Sequence, residues 1–271
     1  MRRQLIGVLV IAFGTILAGA AFAAPGDPGT GINGTVHDLA LLYPAIPPDT
    51  GLAGGEARIC IYCHAPHNTY KLSPANLGPG AAGAGPQAAD PFTYLPLWNH
   101  QLTDNYAAYS MYFSGPGRPL TGPRALQAFN AMEPGSTSLL CLSCHDGSVA
   151  VNSYGNADQL LRSVSSGGPA ITSARYIIGM DNYLGNHHPI GFDYNAVSAV
   201  DTEIRPAGVA TMGTAGTVED HLYGSKMECG TCHSVHNTGN TGETLLWRSD
   251  AASRLCLTCH IKGTPPGATV P

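Results

Sequence analysis

Eight cysteines stand in four pairs of identical spacing, each followed at once by a histidine. They are Cys60-Ile-Tyr-Cys63-His64, Cys141-Leu-Ser-Cys144-His145, Cys229-Gly-Thr-Cys232-His233 and Cys256-Leu-Thr-Cys259-His260. Two thiols so spaced can reach two vinyl groups on one edge of a porphyrin, and the adjacent imidazole can turn under the ring to ligate iron. C-x-x-C-H is the attachment signature of c-type haem. Four such motifs exhaust the cysteines. Four disulfides, the ordinary use of eight cysteines in an exported chain, leave the following histidines unexplained. Zinc sites place their C-x-x-C pairs roughly 15–20 residues apart, whereas 77, 84 and 23 residues intervene here.

Beyond the four proximal histidines the chain holds His37, His67, His100, His187, His188, His221 and His236. Four irons with an imidazole on both faces need four of these seven. His67 and His236 each lie three residues after a proximal ligand, in His-Ala-Pro-His and His-Ser-Val-His. At helical spacing such a residue stays on its neighbour's side of the chain. It is expected to serve a neighbouring haem, drawing two porphyrins together. His188 is favoured over His187 because Pro189 stiffens the backbone beside it. His37 sits in Val-His-Asp-Leu. His37, His67, His188 and His236 are thus the distal candidates, and His100, His187 and His221 are read as surface or hydrogen-bonded residues. Met111, Met132, Met180, Met212 and Met227 could ligate iron, but with histidines in surplus they are read as core or gap-filling side chains.

The elements that position these residues repeat. Cys63-His-Ala-Pro-His-Asn-Thr69, Leu97-Trp98 and the second motif are echoed in the same order by Cys232-His-Ser-Val-His-Asn-Thr238, Leu246-Trp247 and the fourth motif. This is a duplicated two-haem module, about 30–153 and 180–263, within one tetrahaem domain, 24–271. The first copy carries insertions, notably the Gly/Pro/Ala-rich stretch 76–91. Between the copies lie short β-prone stretches such as Ala174–Ile178.

Glycine and proline, 34 and 21 residues, make up a fifth of the chain against roughly 12% ordinarily. They resist long helices and strands. The expected fold is a coil-rich multihaem cytochrome c, with a few short helices at the motifs, minimal strand, and a stack of four covalently bound haem c groups as its organising centre.

Arg2 and Arg3, an apolar run from Leu5 to about Ala18, and the small residues Gly19 to Ala24 form a cleavable export signal, read as residues 1–23. A membrane anchor is the alternative, but the run is shorter than the ~20 residues a spanning helix needs. Only 11% of residues are charged, and the net charge of −5 makes nucleic acid a poor partner.

With these residues assembled, the chain resembles the extracellular tetrahaem cytochromes of metal-respiring microbes, which polymerise into cytochrome nanowires. The likeness runs in order through Val36-His-Asp-Leu39, Cys60-Ile-Tyr-Cys-His-Ala-Pro-His-Asn68, Pro96-Leu-Trp-Asn99, Cys141-Leu-Ser-Cys-His-Asp-Gly147, His188-Pro-Ile-Gly-Phe-Asp-Tyr194 and Arg254-Leu-Cys-Leu-Thr-Cys-His260. It implies four bis-histidine haems in a continuous stack within a coil-rich sheath, with His37, His67, His188 and His236 as distal ligands. It also implies self-association into a filament, with His67 the candidate for a ligand shared between subunits, at the cell surface or beyond it. The chain's own 70–95 insertion looks longer than the family core requires.

The function expected is electron transfer rather than catalysis, toward other redox proteins or extracellular acceptors. A soluble periplasmic carrier is the alternative in the same class. A multihaem oxidoreductase is the alternative from another, and needs one iron with an open position.

Overall fold

The structure, a computed structural model, describes residues 24–39, 59–64, 98, 100–103, 109–111, 136–151, 170–240 and 242–261. His67, the export signal 1–23 and the insertion 76–91 lie outside the described residues.

Every attachment motif occupies a short helical turn. The 3-10 turn Ile59–Tyr62 carries the first, helix Ser136–His145 the second, helix Cys229–Cys232 the third and helix Arg254–Cys259 the fourth. No strand forms among the described residues. The chain is coil with isolated bridges, and three of these set a proximal histidine opposite another segment: His64 against Trp98, His233 against Leu246, and His260 against Ile204.

The local sequence explains how these helices start and stop. Ser136–His145 ends in Asp146-Gly147, where Gly147 takes φ 75° and its N–H donates to the Cys144 carbonyl at 3.2 Å, the left-handed cap glycine favours. Cys229–Cys232 is capped reciprocally by Glu228 and Thr231. The Glu228 carboxylate also accepts the Ser138 hydroxyl, and Ser138 Oγ accepts the Cys229 N–H at 3.1 Å. The second and third motif helices are thereby tied together. Helix Tyr194–Val200, started by Asp193 accepting the Ala196 N–H at 2.9 Å, turns Tyr194 and Val197 inward. They join Phe192, Ala207, Ala210, Met212, Val218 and Met227 in the largest apolar cluster, against which Leu255 and Cys259 pack.

Residues 24–39 dock on the second module. Asn237, fully buried at φ 51°, donates through Nδ2 to the carbonyls of Asp27 (2.7 Å) and Gly31 (2.9 Å). Its Oδ1 accepts from Asn240 Nδ2 and the Leu245 N–H, and the Thr244 hydroxyl donates to the Gly26 carbonyl.

Ala174–Ile178 forms no strand. Tyr176 and Ile177 close a turn on the Ser173 carbonyl, and the Ile178 N–H donates to the His145 carbonyl at 2.6 Å. β-branched composition alone does not make a strand where no neighbour offers a ladder.

Candidate functional site

The motif helices bring the four attachment sites side by side. Burial, then the neighbouring Cys63, pushes the Cys144 thiol up. Cys141 hydrogen-bonds to Cys229, which raises the Cys141 thiol and lowers its partner. Burial, then Cys259, pushes Cys232 up to about 12. The first site therefore neighbours the second, the second the third, and the third the fourth. All eight cysteines stand as free thiols. Among the described residues no three His, Cys, Asp or Glu side chains converge on one metal position.

The histidines meet in twos. His37 faces His145 with ring centroids 6.2 Å apart, His64 faces His236 at 6.1 Å, and His188 faces His260 at 6.3 Å. Each pair joins a proximal histidine to a distal candidate from elsewhere in the sequence. A metal ion held by two imidazoles at ~2 Å, with each ring centre roughly 1 Å behind its nitrogen, separates the centres by about 6 Å. The pairs thus fit an iron between them.

Several of these rings are oriented by backbone. Nδ1 of His145 lies 2.7 Å from the Tyr176 carbonyl, that of His188 2.9 Å from Pro189, and that of His233 3.3 Å from Leu245. An Nδ1–H bound to a carbonyl leaves the Nε2 lone pair for a metal. Burial, then His145, lowers the pKa of His37, and burial lowers that of His233. Both shifts favour the neutral imidazole that ligation requires.

His236 reaches its partner by a route other than helical neighbourhood. The helix stops at Cys232 and His233 is extended (φ −101°, ψ 124°). The chain then turns through Ser234–Asn237, closed by the Asn237 N–H on the Ser234 carbonyl at 2.8 Å. That turn presents His236 to His64 of the first motif.

The remaining histidines are held differently. His100 is buried, with Nδ1 2.7 Å from the Gln101 carbonyl and Nε2 3.2 Å from that of Ala150. His221 bonds the Ala215 carbonyl and stacks on Trp247 at 4.4 Å. His187 is half-buried, and its neighbour His188 is the one that meets His260.

Apolar side chains stand exposed beside the paired rings: Val36 next to His37, Val235 next to His236, Ile261 next to His260, and Tyr176, whose backbone carbonyl meets His145. Such surface is costly in water and suits the face of a porphyrin. The sequence reading missed the orienting carbonyls, which carry no side-chain signal, and the buried carboxylates Asp146 and Glu228, which adjoin motifs 2 and 3 directly.

The family of the doubled CXXCH motif matches residues 221–264, spanning the third and fourth attachment motifs. No curated protein matches the chain. The family match supports a multihaem c-type cytochrome, with covalently bound haem c and electron transfer as its chemistry. The matched span holds the compact copy of the repeat, where only 23 residues separate the two pairs; the first copy, with 77, departs from that spacing.

Proposed function

We propose that the chain carries four bis-histidine haem c groups and conducts electrons as a subunit of an extracellular filament. The observation that carries this reading is the set of three crossed imidazole pairs, His37/His145, His236/His64 and His188/His260. His233 is the proximal histidine left over, with its Nδ1 on the Leu245 carbonyl. His67 is the candidate left to face it. On this assignment the first and third motifs exchange their trailing histidines, which holds the two modules together.

When bound, haem c supplies an iron that alternates between two oxidation states. The cysteines of each motif would hold the ring, and the paired imidazoles of His37/His145, His236/His64 and His188/His260 would ligate the iron. An iron held by two imidazoles would keep no open position for a substrate. That favours a conductor over an oxidoreductase.

His67 is also where a filament would enter, because a neighbouring subunit's His67 could ligate His233's haem in place of the chain's own. The low charge suits repeated subunit contact.

The test is haem count by mass and spin state by absorption, in dilute and concentrated mature protein. Four low-spin haems at every dilution support a self-contained conductor and count against a shared ligand. A high-spin fraction that disappears on concentration supports the shared ligand and polymerisation. A high-spin fraction that persists overturns the fully ligated reading in favour of an enzyme.

A further inference from the structure

The carboxylates that the fold buries and the arginines that it gathers lie at different attachment sites. Among the described residues three carboxylates are buried: Asp38, Asp146 and Glu228. Asp38 follows His37, and its Oδ2 accepts the Gly34 N–H at 3.0 Å. Asp146 follows His145. It accepts from the Tyr109 hydroxyl (2.7 Å), the Ser148 N–H (2.8 Å) and hydroxyl (2.7 Å), and the Thr103 hydroxyl. Glu228 precedes Cys229 and accepts the Ser138 hydroxyl. In each of these hydrogen bonds the carboxylate is the acceptor. All three adjoin the second or third site.

Three arginines adjoin the fourth site. Arg205 donates its backbone N–H to the Cys259 carbonyl at 2.8 Å and its Nε to the Leu257 carbonyl at 3.4 Å. Arg248 Nη1 donates to the Thr258 hydroxyl at 3.1 Å and the Thr211 carbonyl at 2.8 Å. Arg254 opens the helix that bears Cys256 and Cys259. Burial, then the nearby Arg254, lowers the pKa of Arg248, so the two positive charges share one neighbourhood.

Reduction of a haem removes one unit of positive charge. A nearby carboxylate therefore favours the oxidised form and a nearby cation the reduced form, most strongly where water is excluded. We propose that these six charges grade the chain, so that the haem at Cys256–His260 has the highest reduction potential and is reduced first. The inference rests on the haem-loaded reading above and adds a direction to it: a single electron on the chain rests at the fourth site.

The test is a reductive titration of the haem-loaded protein, resolved step by step by absorption and low-temperature electron paramagnetic resonance. Replacing Arg205→Gln and Arg248→Gln together should weaken the highest-potential step about tenfold in equilibrium constant per charge, ~59 mV each for one electron, and leave the lower steps in place. Asp146→Asn should strengthen one of the lower steps by a similar factor and leave the highest unmoved. Arg248→Lys keeps the charge but loses the planar fork, so the highest step should stay near its original position, separating field from packing. If the double variant fails to load haem, the exposed Arg254→Gln should move the same step the same way by less. A highest step that ignores the arginine changes overturns the grading while leaving the haem reading intact. A chain that takes up no haem overturns the haem reading itself.

Discussion

At the residue scale, the histidines differ in what their ring nitrogens touch. His145, His188 and His233 each give that nitrogen to a backbone carbonyl, whereas both nitrogens of His100 lie against carbonyls. His188→Ala or His236→Ala should convert one haem to high spin and leave the others low-spin by absorption. His100→Gln should leave the spin state unchanged. Asn237 is the other decisive residue. Its amide serves four partners in full burial, so Asn237→Ala should cost about 1–3 kcal/mol in denaturant unfolding. It should also loosen residues 24–39, weakening ligation by His37. The cysteine spacing marked His64, His145, His233 and His260 in advance. The histidines that pair with them were legible only as a surplus of candidates, because the carbonyls that orient a ring come from residues such as Pro189 and Leu245 that no motif marks.

At the scale of elements, the motifs behave as single helical turns whose ends are set by local chemistry. Gly147, at φ 75°, has the Ile171 carbonyl 3.3 Å from where a Cβ would stand. Gly147→Ala should therefore lower stability by about 1 kcal/mol or more, read from the melting temperature. The turn Val218–His221 offers a pH test. The N–H and hydroxyl of Thr217 both bond the Asp220 carboxylate and hold its pKa below the ordinary value. A carboxylate depressed in the folded state stabilises above its unfolded pKa and loses that contribution as pH falls through the folded value. Melting temperature should thus fall as pH drops through and below the ordinary carboxylate range, and less steeply in Asp220→Asn. Helices at the motifs and scarcity of strand followed from glycine, proline and the cysteine spacing. The docking of residues 24–39 did not, since its hydrogen bonds join backbone carbonyls to an asparagine more than two hundred positions away. The turn at Ser234–Asn237 was hidden as well, because helical periodicity describes a chain that has already left its helix.

At the scale of the whole molecule, apolar burial among the described residues falls into three separate clusters, and the attachment sites lie between and beside them. Chain produced without haem should show no cooperative thermal transition by circular dichroism, as in domains whose binding energy is their folding energy. A sharp transition in that material would refute this. The hydrogen bonds from Asn237 to Asp27 and Gly31 carry one more consequence, which concerns time. Residues 24–39 are synthesised long before residues 234–245, on which they come to rest, and contacts so distant in sequence form slowly. Until the later segment arrives, residues 24–39 lack these hydrogen bonds, and His37 lacks the support that sets it beside His145. A chain interrupted before residue 237 would therefore show its defect far upstream of the break, in residues 24–39.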